Sequence, residues 1–342
     1  MTRLPDLTDP CAVRTLGRTG LRVSQLGFGC SAIGVLRPGE DEATATAALA
    51  SAWRSGVRYF DTSPWYGRGL SEHRAGAFLR HVPRADYLLS SKVGRLLSPL
   101  PPDATLPADT LPFGARFDYS YDATLRSLEH SLQRLGLSHI DMLILHDLSP
   151  RWHGEALDQQ FAIAMDGAQR ALCELRAQGV VKAIGVGVND AVVCLRCLDA
   201  GDFDFFMLAG RLTLLDHVAA LPLLTACAQR GVSVLAAAPF NSGILATGAS
   251  ASARFWYAPA PPEITARTRA IAAVCGAHSV PLGAAAIQFA LGHTAVASVV
   301  ASFENAQQYA QACEWLATPI PPACWHALRD AGLVGWHPGL DP

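Results

Sequence analysis

Short, continuously apolar runs alternate with longer Ala/Leu-rich stretches along the whole chain. The runs fall at residues 26–29, 57–61, 87–93, 141–146, 183–188, 203–208, 232–238 and 297–301. Each is followed by a loop and then by a stretch with helical periodicity, such as DEATATAALASAWRSG or YDATLRSLEHSLQRLG. Strands covered on both faces lose the two-residue alternation of half-exposed ones, and an alternation of strand and helix forces parallel pairing through helical crossovers. Eight such units predict a closed (β/α)8 TIM barrel. Upstream, RTLGRTGLRVS reads as a small hairpin able to plug one end. The Pro-rich stretches 98–112 and 257–262 read as long βα-loop insertions, because no helix tolerates that density of proline. The whole chain, 1–342, reads as one barrel domain, with no linker or low-complexity segment inside it.

Composition narrows the partners. Half of the 342 residues are hydrophobic, 16% are charged, and 27 Lys and Arg face 29 Asp and Glu. So apolar a chain is not a disordered one, and a near-neutral chain without a basic run offers nothing to nucleic acid or an anionic membrane. The most apolar stretch, 283–301, contains Gln and His and reads as a buried helix followed by a buried strand. Nine irregularly spaced cysteines do not form a disulfide framework, and the N-terminus lacks the apolar core of a leader. The expected location is the cytoplasm. Cys194 and Cys197, on a predicted helix with no second pair or nearby His, read as buried thiols, and no metal site is expected.

A competing layout, the doubly wound nucleotide fold, finds only a loose match in GFGCSA at 27–32. There the helix is predicted to wait until about Asp41, whereas the dinucleotide fingerprint needs it to begin at the glycines. In a barrel the chemistry belongs at the C-terminal ends of the strands. Asp61 ends the second run in YFDTSPWYG, with Tyr66 five residues on. Lys92 ends the third in LLSSKVG, and His146 ends the fourth in DMLILHD. Each strand-end group, Asp61, Lys92 and His146, closes an otherwise buried run, where an unpartnered charge is costly. Neighbouring parallel strands lie about 4.8 Å apart, so the four side chains can converge on one pocket, with Trp65 as a wall beside Tyr66.

This constellation resembles the aldo-keto reductase family over nearly the whole chain, from RTLGRTGLRVSQLGFGC through IGVGVN to the last strand. Finer stretches, DTSPWYGRGLSE, AGRLTLLD and APFNSGILATG, resemble the branch that oxidises aldoses such as L-fucose or D-arabinose at C1, or pyridoxal. The resemblance implies hydride transfer with a nicotinamide cofactor. Tyr66 would be general acid and base, Lys92 would lower its pKa, Asp61 would hold Lys92, and His146 would orient the substrate oxygen. It further implies cofactor contacts at Gly29, Cys30, Asn189, Asn241, Ser242, Gly243 and Leu245. Leu212 stands where the family usually stacks an aromatic ring on the nicotinamide. Where the family usually has an Arg for the adenosine 2′-phosphate, this chain has Glu304, in ASFEN, which favours NAD over NADP. The usual Glu-Asn pair near the adenine is Gln311-Ala312 here. Pyridoxal oxidation, general NADPH-dependent aldehyde or ketone reduction, and non-enzymatic nucleotide sensing remain the alternatives. The intact Tyr–Lys pair speaks against the last. The partner is a small molecule, and the oligomeric state is not encoded in these motifs.

Overall fold

A computed structural model describes residues 9, 11–36, 41–105 and 109–336 of the chain. Eight parallel strands close into a barrel: β3 (Leu26–Gly29), β4 (Tyr59–Asp61), β5 (Leu88–Val93), β8 (Met142–His146), β9 (Ala183–Val188), β10 (Phe205–Ala209), β11 (Ser233–Ala237) and β14 (Val296–Ser302). Each lies within a residue or two of an apolar run in the sequence. β14 closes the ring by pairing with both β11 and β3. The first helix starts at Glu42, capped by Asp41, whose carboxylate accepts from the Thr44 N–H at 2.8 Å. That late start excludes a nucleotide-binding helix at Gly27.

Two hydrophobic regions result. Tyr59, Met142, Ile144, Phe205, Met207 and Leu235 fill the barrel interior, and the larger region packs helices onto its outside. The predicted hairpin is present as β1 (Val13–Thr15) and β2 (Arg22–Ser24), and it sends Leu16 and Val23 into the interior from below. Arg14 fixes this plug by donating from Nη1 to the carbonyls of Leu291 (2.9 Å) and Val296 (2.6 Å). The apolar stretch 283–301 is indeed a buried helix (Leu282–Leu291) followed by β14. Among the described residues no single helix is long and apolar enough to cross a membrane.

Both Pro-rich insertions need correction. The first is not wholly loop: β6 (Arg95–Pro99) and β7 (Phe113–Phe117) pair antiparallel across it, and only the tip is irregular, with 106–108 outside the described residues. Proline tolerates the edge of such a two-stranded ribbon. In the second, β12 (Arg254–Phe255) and β13 (Ala258–Pro259) form a minimal ladder around Trp256 and Tyr257. Both turn residues have positive φ, 52° and 66°, as a two-residue hairpin turn demands. The helix Pro262–Ala277 then begins with proline at its first turn, where a missing N–H costs nothing.

Candidate active site

Strand order brings the predicted chemistry together. β4, β5 and β8 are consecutive in the barrel, so Asp61, Lys92 and His146 end adjacent strands at one rim. Lys92 Nζ donates to both Asp61 oxygens at 2.6 Å and to the Thr62 carbonyl at 2.9 Å. Both side chains are almost wholly buried, 2% and 3% exposed. Ser90 Oγ donates to Asp61 Oδ1 at 2.6 Å and lies 3.0 Å from the Tyr59 hydroxyl, so the carboxylate is satisfied from below as well. A short 3₁₀ turn, Tyr66–Gly69, folds Tyr66 back over this pair, with Gly67 at φ 61°. Lys92 Nζ lies 5.1 Å from the Tyr66 ring centre, and the His146 ring meets the Tyr66 ring edge-on at 6.1 Å.

Electrostatics corrects one expectation. The Tyr66 phenol is pushed up from its ordinary value, chiefly by burial and next by the Asp61 carboxylate. Whatever pull the Lys92 ammonium exerts does not outweigh these effects, because Asp61 grips it with both oxygens. Burial also drives His146 down, to about 3, against the opposing pull of Asp147, so its imidazole is neutral. Tyr66 therefore holds a proton to give, and His146 is an uncharged hydrogen-bonding group.

The sequence reading missed a second cluster on the same rim. Arg95, three residues beyond Lys92, pairs with Asp147 at 2.5 Å. Its guanidinium lies over the rings of Trp65, Phe117 and Trp152 at 4.0, 4.1 and 4.4 Å. Trp65 packs edge-on against Trp152 at 5.9 Å and so joins a rigid aromatic wall beside Tyr66. Tyr119 donates its hydroxyl proton to the His146 carbonyl at 2.9 Å. The rule that found Asp61, Lys92 and His146, an ionisable group ending a buried run, would also have found Arg95 and Asp147.

Comparison with known proteins agrees with this geometry. Residues 25–332 match the Aldo/keto reductase family. The chain belongs to that family. This aldo-keto reductase is 41% identical over 334 residues to pyridoxal 4-dehydrogenase of Microbacterium luteolum, covering 94% of this chain and 97% of that protein. It is also 41% identical over 337 residues to D-threo-aldose 1-dehydrogenase of a Pseudomonas species, covering 96% and 98%. Among solved structures, an aldo-keto reductase from Bacillus halodurans in holo form superposes with a TM-score of 0.75 at 23% identity, covering 94% of this chain and 96% of that one; at that identity the likeness speaks for the fold.

The residues of this reductase expected to meet a cofactor ring the same end of the barrel. Asn189 follows β9, and its carbonyl accepts from Arg211 Nε at 3.0 Å. Asn241, Ser242 and Gly243 follow β11 with φ of 44°, 60° and 96°. The Asn241 amide donates to the Gly210 carbonyl at 3.1 Å, while its Oδ1 is buried without a hydrogen-bond partner among the described residues. Beside Gly243 a Cβ would meet nothing within 4 Å. An unsatisfied buried oxygen beside an open, tightly turned backbone fits a polar ligand at this edge. Ser242 Oγ accepts from the Tyr257 N–H at 3.0 Å and ties down the Trp256–Tyr257 turn. Leu212, Leu245 and Cys30 are buried in the outer core, so they present little side chain to the rim. Gly29 faces Ser302, whose Oγ would stand 2.8 Å from an added Cβ. Glu304 follows β14, the strand between β11 and β3, and lies beside Asp41 and Arg74; its carboxylate accepts from Gln308 Nε2 at 2.8 Å. Cys194 and Cys197 are buried, and burial raises both thiols.

Proposed function

We propose that this aldo-keto reductase oxidises C1 of an aldose of the L-fucose, D-arabinose or D-threo-aldose type to the lactone, with NAD as cofactor, as a single-domain enzyme of the cytoplasm. The observation that carries the reading is Tyr66 seated over the buried Lys92–Asp61 pair, edge-on to a neutral His146. A bound nicotinamide would supply the hydride acceptor and a positively charged ring. The residues handle the rest. The hydroxyl proton at C1 passes to Tyr66 as the C=O bond forms, once the phenol has given its own proton to solvent, and His146 orients that oxygen. A phenol raised by burial needs added positive charge nearby before it ionises, so oxidation becomes favourable only in the loaded site. Trp65, on its wall of stacked rings, offers an apolar face to a sugar ring.

NAD is favoured on the resemblance, which aligns the Glu304 carboxylate with the Arg that usually meets the 2′-phosphate of NADP. Two such charges about 4 Å apart repel by about 1 kcal/mol in water and about 4 kcal/mol at an effective dielectric of about 20. A second reading, oxidation of pyridoxal at its cyclic hemiacetal, is favoured by the equal 41% identity to the pyridoxal enzyme. Both readings remove one hydride and one proton from a ring carbon bearing hydroxyl.

The test is cofactor reduction with NAD⁺ and NADP⁺ across a panel of aldoses and pyridoxal, with Tyr66→Phe as control. Turnover of an aldose with NAD⁺, lowered about 10² to 10⁴-fold in Tyr66→Phe, is expected. Turnover of pyridoxal alone selects the second reading. Activity confined to aldehyde reduction with NADPH overturns both.

A further inference from the structure

We infer that Ser63 and Asp147 are positioning residues that decide which nitrogen of His146 carries the proton, placing it on Nε2. A neutral imidazole has one N–H donor and one bare nitrogen acceptor, and its neighbours choose between them. His146 Nδ1 lies 3.3 Å from Ser63 Oγ. That oxygen already accepts from the Trp65 N–H at 3.1 Å, and among the described residues its own proton has no other acceptor. The hydroxyl therefore donates to Nδ1, which must be bare, and the ring proton sits on Nε2.

The opposite side of the ring supports the same assignment. Nε2 lies 3.6 Å from Asp147 Oδ2. This is too long for a hydrogen bond and close enough for the carboxylate to attract an N–H. The proton is thus drawn to Nε2 without being captured, and it stays available to a substrate oxygen. Asp147 cannot drift to close that gap, because Arg95 Nη2 grips the same oxygen at 2.5 Å under its three aromatic rings. The backbone at Asp147 has φ 57°, a left-handed conformation that Asp adopts more readily than most residues other than glycine. The other charged groups facing the ring, Lys92 and Arg95, oppose its protonation, as burial does. The choice left to the protein is therefore between tautomers.

The role of the Nε2 proton in catalysis rests on the proposed function, whereas the tautomer itself does not. The experiment is nitrogen NMR of the full-length chain labelled in histidine, without ligand, with the His146 signals assigned by their loss in His146→Gln. At neutral pH the wild type is expected to show a bare Nδ1 and a protonated Nε2. Ser63→Ala removes the donor to Nδ1. Asp147→Asn replaces an acceptor facing Nε2 by an amide able to donate to it. Each is expected to move the tautomer ratio toward Nδ1–H by about tenfold, the worth of one hydrogen bond, and to lower kcat more than it changes KM. Ser63→Thr, which keeps the hydroxyl, is expected to retain the wild-type spectrum and rate. A wild type with its proton on Nδ1, or a Ser63→Ala variant with unchanged tautomer, overturns the inference. If Asp147→Asn fails to fold, the Ser63 pair of variants still decides. Nε2–H in a protein that oxidises no aldose or pyridoxal would defeat the proposed function and leave this inference standing.

Discussion

At the scale of single residues, the site is governed by two buried ion pairs that neutralise themselves, Lys92–Asp61 and Arg95–Asp147. Removing one partner of such a pair leaves an uncompensated charge, which costs about 3–5 kcal/mol, whereas removing both charges together costs much less. Urea denaturation should therefore show Lys92→Met strongly destabilised and the Lys92→Met/Asp61→Asn double variant closer to wild type. The single variant also leaves Asp61 unopposed beneath Tyr66. The phenol rises further, so the alkaline pKa in the pH profile of kcat/KM for oxidation should move upward. At the adenosine end, Glu304→Arg should raise kcat/KM for NADP⁺ and lower it for NAD⁺, read from initial rates with each cofactor. An unchanged ratio would mean that Glu304 merely serves the first turn of its helix, where it already holds Gln308. Asp61, Lys92 and His146 were legible because each places an ionisable group at the end of an apolar run, and Tyr66 because its spacing from Asp61 matches the family motif. The setting of Arg95 was not, since its three covering rings come from distant segments, at Trp65, Phe117 and Trp152.

Elements show the same division. All eight barrel strands were readable, because strands buried on both faces write continuous apolar runs into the sequence. The β6–β7 ribbon was not, since its prolines resemble loop and its pairing spans an irregular tip. Nor does any local pattern announce that Trp256 and Tyr257 turn with left-handed backbone, a geometry usually left to Asn and Gly. The turn carrying Tyr66 is the most demanding element. An added Cβ at Gly67 would stand 2.0 Å from the Gly34 carbonyl oxygen, a backbone atom that cannot step aside. Gly67→Ala must therefore displace the turn, and a shift of about 1 Å at the reacting group costs about 10²-fold in rate. We expect a loss of that order in kcat together with a lower Tm, with cofactor affinity changed far less. Wild-type kcat in this variant would show that Tyr66 is placed by something other than its turn.

At the scale of the whole molecule, burial makes the fold sensitive to acid. His73, His139, His146, His153, His217 and His293 are all held below their ordinary pKa, chiefly by burial. The unfolded chain binds protons at these sites near pH 6.5 while the folded chain refuses them, so stability falls as pH drops through that value. His146 alone, titrating at about 3 when folded, removes about 2 kcal/mol between pH 7 and 5. Urea midpoints should decline over this interval, and less steeply in His146→Gln. Flat midpoints would show that these rings are hydrated.

The closure of the barrel has a consequence for how the chain comes into being. Asp61, Tyr66, Lys92 and His146 all lie in the first half of the chain, yet the strand that seals the ring, β14, ends at Ser302. During synthesis the nascent sheet must wait with β3 and β11 unpaired on facing flanks, each a row of open N–H and C=O groups ready to recruit another strand. The chain is thus most exposed to misassembly just before its last strand emerges, when nearly all of its apolar surface is already made. A chain ended at residue 290 lacks β14 altogether, and we expect it to be recovered in the insoluble fraction, with the full-length protein made alongside remaining in the supernatant.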